Sequence, residues 1–133
     1  MTYHFSRIVS MPFDAAIAAT TEALKDHGFG VLTEIDVQAT LKKKLDVAFR
    51  PYRILGACNP KFAYEALQEE DKIGTMLPCN VVVQQRDGGK VEISAVDPVA
   101  SMQAVGNKKL AAVADKVRAM LREVVAEVGT AKA

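Results

Sequence analysis

Two Cys-Asn pairs are the residues of this sequence with the most distinctive chemistry. Cys58 is followed directly by Asn59, and Cys79 is followed directly by Asn80. A thiol is a nucleophile when ionised and a soft metal ligand, and an amide side chain both donates and accepts hydrogen bonds. If the fold brings the two pairs together, they predict a small polar pocket.

The elements around these pairs determine whether they meet. The pattern predicts a third strand over 52–58 that ends at the first pair, and then a helix that begins at Pro60. A fourth strand begins at the second pair, and Gly88 and Gly89 predict a tight hairpin that leads into a fifth strand over 91–96. Antiparallel pairing across the hairpin places Cys79 and Asn80 near Asp97, which follows the fifth strand.

The first pair joins this group only if the third and fifth strands run in the same direction. One end of the sheet would then gather two thiols, two amides and a carboxylate beside two helix N-termini, whose partial positive charge favours anions and thiolates. Glu34, on the second predicted strand, would add a carboxylate if that strand lies beside the third. The predicted ligand-binding residues are therefore Cys58, Asn59, Cys79, Asn80, Asp97 and Glu34.

Three functions remain open for this set. The first is a small-ligand or metal-binding module with its pocket at the Cys-Asn pairs. The second is a structural or protein-interaction homodimer, in which Asn59 and Asp97 only cap helices and the cysteines only pack in the core. The third is a thiol-dependent enzyme, for which neither His4 nor His27 is tied to the thiols as a general base. The sequence identifies no ligand, metal, cofactor or reaction.

Composition sets the class of protein. The chain has 133 residues, of which 50% are hydrophobic and 25% charged, so we expect one globular domain over 1–128 with a frayed tail over 129–133. Seventeen basic and sixteen acidic residues leave a net charge of +1, which argues against nucleic acid as a partner. No apolar run is long enough for a membrane span and the first residues lack an export signal, so we expect a cytoplasmic protein with reduced cysteines.

The remaining elements define the predicted architecture. The first helix begins near Pro12 and ends at Gly28, Asp36 caps a second helix, and the last helix covers 108–128 with a wide apolar face. We predict an α+β fold, a two-layer sandwich in which the first and last helices cover one face of a mixed five-stranded sheet. The other face would be partly apolar and exposed, and a second copy of the chain would cover it in a homodimer.

Several short runs of this sequence also carry a family resemblance. They are Gly28-Phe29-Gly30-Val31, Glu34-Ile35-Asp36-Val37, the segment from Pro51 to Pro60, Leu77-Pro78-Cys79-Asn80-Val81, and Ser94-Ala95-Val96-Asp97-Pro98. In order and spacing they closely resemble the domain of unknown function 302 family over nearly the whole chain. The resemblance implies a compact α+β domain that pairs as a homodimer, occurs mostly in bacteria and has no established activity. The residues it carries over are Glu34, Asp36, Cys58, Asn59, Pro60, Pro78, Cys79, Asn80, Asp97 and Pro98.

Overall fold

Strands and helices alternate along the chain before a hairpin and a long final helix. The computed structural model describes residues 2–130. The strands are β1 (His4–Val9), β2 (Gly30–Asp36), β3 (Tyr52–Cys58), β4 (Cys79–Gln85) and β5 (Val91–Val96). The helices are α1 (Phe13–Asp26), α2 (Val37–Leu45), α3 (Pro60–Glu69), α4 (Pro98–Met102) and α5 (Lys108–Glu127). Short 3-10 turns cover Ile73–Met76, Asp87–Gly89 and Gln103–Val105.

The five strands form one sheet in the order β1-β5-β4-β3-β2. Both β3 and β5 pair with β4 in antiparallel orientation, so they run in the same direction, which is the condition that the predicted pocket required. The α+β class is confirmed, but every pairing is antiparallel, and the expectation of a mixed sheet was wrong in that respect. The third strand is antiparallel to the second because α2 does not pack across the sheet. Asp36, at the end of β2, pairs with Arg53 at the start of β3, and α2 buries none of its residues. The segment between β2 and β3 is therefore an excursion at one end of the sheet and does not cross its face.

The core lies between one face of the sheet and helices α1 and α5, as predicted. Alternate residues of the central strands point into it, among them Leu55, Val81 and Ile93, each fully buried. Leu24 of α1 and Leu121 of α5 cover them from the helix layer and are also fully buried. Burying a leucine-sized side chain contributes about 1.5–3 kcal/mol, so this single layer of contacts holds the helices on the sheet.

Local signals set the ends of the helices. Asp36 accepts a hydrogen bond from the Ala39 amide at 2.9 Å and so caps α2, as the sequence predicts. Gly28 follows α1 with a φ of 81°, a conformation that favours glycine. The helix predicted over 108–128 ends at Glu127. Most of the predicted frayed tail, residues 131–133, lies outside the described residues.

The other face of the sheet carries no helix layer from α1 or α5. Ile8 and Ile35 lie on the two edge strands and are 59% and 49% exposed, which agrees with the expected partly apolar surface. Within residues 2–130, no helix combines the length and the hydropathy that crossing a membrane requires.

Candidate functional site

The end of β3, the beginning of β4 and the end of β5 meet at one edge of the sheet. Ala57 is the direct cross-strand partner of Cys79, and Val81 pairs with Ala95 two residues before Asp97. The condition on which the predicted pocket depended is therefore met, because both thiols and Asp97 lie at the same end of the central strands.

Cys58, Asn59 and Cys79 line one small cavity, which we call the thiol cavity. Its volume is about 30 Å³, enough for one or two water molecules. Most of its wall is apolar and comes from α3, α5 and the segment before β4. The apolar residues of this wall include Phe29, Phe62, Ala66, Leu77, Met102, Val113 and Val117. The two cysteines share a cavity, but it is too small for an organic ligand.

Burial suppresses ionisation of the thiol at the start of β4. The Cys79 side chain faces the core, and burial, with a smaller contribution from the nearby Cys58 thiol, raises the pKa of Cys79 from 9.0 to about 11. At neutral pH Cys79 is therefore a protonated, weakly polar core side chain and a poor nucleophile. Neither His4 nor His27 lines the thiol cavity, since His4 contacts Ser6 and His27 contacts Glu127.

Asn59 lies at the N-cap position of α3 but does not cap the helix with its side chain. The side chain is instead directed at the turn after α1, where its Nδ2 would lie 3.2 Å from a Cβ atom placed on Gly28. The predicted capping role of Asn59 was therefore wrong, because its amide packs against Gly28. Asp97 does cap its helix, since it accepts a hydrogen bond from the Val99 amide at 3.0 Å.

Asn80 and Glu34 lie apart from the thiol cavity. Because side chains alternate along a strand, Asn80 points to the face opposite its buried neighbour Cys79, and it lines a separate surface depression of about 470 Å³ there. β2 does lie beside β3, as the prediction for Glu34 required, but Gly30 is the residue that pairs with Cys58. Glu34 lies further along β2, where its carboxylate forms an ion pair with Arg53 at 2.8 Å.

No metal centre is apparent at these residues. Within residues 2–130, no three side chains of His, Cys, Asp or Glu converge as ligands of one ion would. Two thiols alone do not complete the tetrahedral set of four that a structural zinc site uses.

A much larger opening adjoins the thiol cavity. It has a volume of about 660 Å³ and lies between the end of β5, the segment from α4 to the start of α5, and the outer side of α5. We call it the Asp97 cleft, since Asp97 forms part of its wall. Met102 and Ala114 line both spaces, so the thiol cavity lies directly behind the cleft. The residues that line the cleft include Phe5, Asp97, Val99, Met102, Lys108, Ala111, Ala114, Arg118 and Arg122.

Asp97 and two arginines of α5 dominate the electrostatics of the cleft. Asp97 Oδ2 lies 3.4 Å from Arg118 Nε, yet that buried Nε makes no hydrogen bond within the described structure. Arg118 and Arg122 are one helical turn apart, and their guanidinium carbons lie 5.8 Å and 4.8 Å from the centre of the Phe5 ring. The aromatic face stabilises both cations and holds them side by side at the cleft.

Arg118 and Arg122 are not among the ligand-binding residues predicted from the sequence. Their spacing of four residues was a signal that both lie on one face of α5, but a charged pair on a long helix is usually a solvated surface. Only the position of Phe5 on the neighbouring β1, known from the sheet order, distinguishes them from other surface charges.

Comparisons with known proteins agree with this fold. The family model described as "Domain of unknown function DUF302" matches residues 5–128. The uncharacterized conserved protein DUF302 from Bacillus stearothermophilus has a similar crystal structure, with a TM-score of 0.89 and 29% sequence identity over 96% of this chain and 99% of that chain. No curated protein matches this chain. Since the family model spans nearly the whole sequence, the chain belongs to the DUF302 family.

Proposed function

We propose that the protein is a small-molecule-binding module and that its binding site is the Asp97 cleft. The observation that carries this proposal is the meeting of Asp97, Arg118 and Arg122 in the wall of a cleft of about 660 Å³, a volume within the range of roughly 300–1,000 Å³ that small-molecule sites occupy. The combination of wall residues also supports it. Apolar side chains such as Val99 and Ala111 line most of the surface, and Lys108 adds a further positive charge at the start of α5.

The Cys-Asn pairs have a supporting role in this proposal. Cys58 and Cys79 fill the space behind the cleft, and Asp97 fixes the start of α4 through its hydrogen bond to the Val99 amide. The motif is thus linked to the cleft through the packing of its wall. The raised pKa of Cys79 argues against a thiolate at that residue, and we propose neither a metal nor a catalysed reaction.

Saturation-transfer NMR with four six-carbon or aromatic probes tests the proposal: hexan-1-ol, hexanoate, hexylamine and benzyl alcohol. Ala111 is an exposed residue that lines the cleft, so Ala111→Trp should fill the cleft without disturbing the core. Ala112→Trp is the matched control, since Ala112 is exposed on the same helix but does not line the cleft. We expect saturation transfer to at least one probe in the wild type and the control, and its loss in Ala111→Trp. Equal transfer in all three proteins, or none in any, would contradict the proposal.

Pairing of two copies is a second candidate function. The observation in its favour is the face of the sheet opposite α1 and α5, where Ile8 and Ile35 expose apolar surface on both edge strands. The occupant we propose is a second copy of this chain, as the predicted homodimer requires. Sedimentation equilibrium at micromolar concentration tests it with the wild type and with Ile35→Lys. A dimeric wild type and a monomeric variant are expected, and a monomeric wild type would contradict the prediction.

A further inference from the structure

The charges of the Asp97 cleft do not balance. Its wall carries one acidic residue, Asp97, and three basic residues, Lys108, Arg118 and Arg122. The formal charge of the wall is therefore positive although the whole chain carries only +1. Positive charge concentrated in a concave site raises the local concentration of anions.

Within the described residues, neither arginine of this wall donates a hydrogen bond to the protein, although Arg118 forms an ion pair with Asp97. Within residues 2–130, Arg122 forms neither a hydrogen bond nor an ion pair, and its contact is with the Phe5 ring. Arg118 is the partner of Asp97 at 3.4 Å, but its Nε is buried and unbonded. That Nε faces Asp97 and has almost no accessible surface, so the donors that a ligand in the cleft could reach are the terminal guanidinium nitrogens of Arg118 and Arg122.

The geometry of the arginine pair also favours an oxyanion. Arg118 and Arg122 are one helical turn apart and repel each other, yet both contact the Phe5 ring. Each guanidinium presents a planar fork of donors that matches the oxygens of a carboxylate or a phosphate. A ligand oxyanion between Arg118 and Arg122 would relieve the repulsion and accept the unused hydrogen bonds.

The rest of the wall sets the body of the ligand. Away from the arginines most of the wall is apolar, with Val99, Met102, Ala111 and Ala114, although Gln103, Asn107 and Lys108 also line it. Resting on the proposed binding function, we propose that the ligand is an amphipathic oxyanion, with a carboxylate or phosphate at Arg118 and Arg122 and an apolar body along α4 and α5.

Calorimetric titration with three probes of equal chain length tests this inference: hexanoate, hexyl phosphate and hexan-1-ol. We expect at least one of the two anions to bind the wild type at least about tenfold more tightly than hexan-1-ol, because hydrogen bonds to charged groups are the stronger class. The anion that binds more tightly identifies which oxyanion the site prefers.

Substitutions of the arginines provide the second arm. Arg122 is exposed, so Arg122→Gln should fold normally. It removes one of the two guanidinium groups, and the affinity for whichever anion binds the wild type more tightly should fall at least about tenfold. Lys116→Gln removes the same charge from an exposed position of α5 outside the cleft and should change the affinity little. Arg118→Lys keeps the charge but loses the planar fork, and it should also weaken binding of the anion.

The outcomes separate this inference from the proposed function. If hexan-1-ol binds as tightly as both anions, or if Arg122→Gln leaves the anion affinity unchanged, the ligand is not an oxyanion held by the arginines. The proposed function would then stand with a neutral ligand in the same cleft. If Lys116→Gln weakens binding as much as Arg122→Gln does, the effect is net charge alone, and the inference also fails. Absence of binding by all three probes would overturn the inference, and the proposed function falls with it only if hexylamine and benzyl alcohol also give no saturation transfer.

Discussion

Alkaline pH should destabilise this protein through one buried thiol, Cys79. The folded protein holds the pKa of Cys79 at about 11, against 9.0 for the exposed group, mainly because the side chain is buried. Both states are protonated below pH 9, so the full stability is present there. As the pH rises, the unfolded chain releases its thiol proton first. The free energy of unfolding therefore falls until the folded state also ionises, near pH 11.

The size of the loss follows from the shift. The pKa of Cys79 is 9.0 in the unfolded chain and about 11 in the folded protein, a difference of about two units. At about 1.4 kcal/mol per unit, the free energy of unfolding should fall by about 3 kcal/mol across this range, with no further loss from this group at higher pH. Most small domains have only about 5–15 kcal/mol in total, so the effect is large enough to measure.

Urea unfolding of the wild type and Cys79→Ala, in a reductant that contains no thiol, measures this effect from pH 8 to pH 11. Lysines and tyrosines titrate in the same range, so the quantity to plot is the difference between the two proteins at each pH. We expect Cys79→Ala to lose less stability than the wild type as the pH rises, and the wild type's advantage to shrink by about 3 kcal/mol. Cys58→Ala leaves the burial of Cys79 in place and should retain most of the pH dependence. A constant difference between wild type and Cys79→Ala would refute a buried, protonated Cys79.

Three further predictions concern the packing of Gly56 on β3, the cap of α4 and the charge of the cleft wall. Gly56→Ala should destabilise the protein by about 1–3 kcal/mol, because a Cβ there would lie 2.1 Å from Thr33 Oγ1 and 2.7 Å from Pro78 Cγ, whereas Gly30→Ala meets nothing within 4 Å. Equal urea midpoints for the two variants would count against this packing. Asp97→Ala should cost about 1 kcal/mol through loss of the α4 cap, and Asp97→Asn should cost less because its amide oxygen still accepts the hydrogen bond. Asp97→Asn also removes the one acidic group of the cleft wall, so calorimetry should show tighter binding of hexanoate, and weaker binding would contradict the assigned electrostatics.

Much of the fold was predictable because the relevant signals are local. The glycines at 88 and 89 determine the hairpin, and Asp36 and Asp97 mark helix starts that the structure confirms. The common direction of β3 and β5 was only a condition for the pocket, because no local signal places β3 beside β4. The antiparallel return of β3 was not predictable, since a helix between two strands usually crosses the face of a sheet. Nothing local indicates that α2 stays at the sheet end and buries none of its residues.

The candidate site was predictable only in part. The sequence brought Cys58, Cys79 and Asp97 to one edge, and the structure confirms that placement. It did not indicate that the thiols lie in a cavity too small for a ligand while the larger cleft lies in front of them. That distinction depends on how α4 and α5 pack across the sheet end, a long-range arrangement. The contact of Phe5 with Arg118 and Arg122 is also a long-range arrangement, because α5 is distant from β1 in sequence.

Mapping backbone amide shifts during a titration with hexanoate tests most directly whether the Asp97 cleft is the binding site. The account predicts that the largest changes in the nitrogen-proton correlation spectrum fall on Gly106, Asn107 and Lys108, which line the cleft, and that they saturate together. Changes that saturate instead at Asn80 and Gln84, on the opposite face, would contradict it. A spectrum left unchanged by millimolar hexanoate, hexyl phosphate, hexan-1-ol, hexylamine and benzyl alcohol alike would also contradict it.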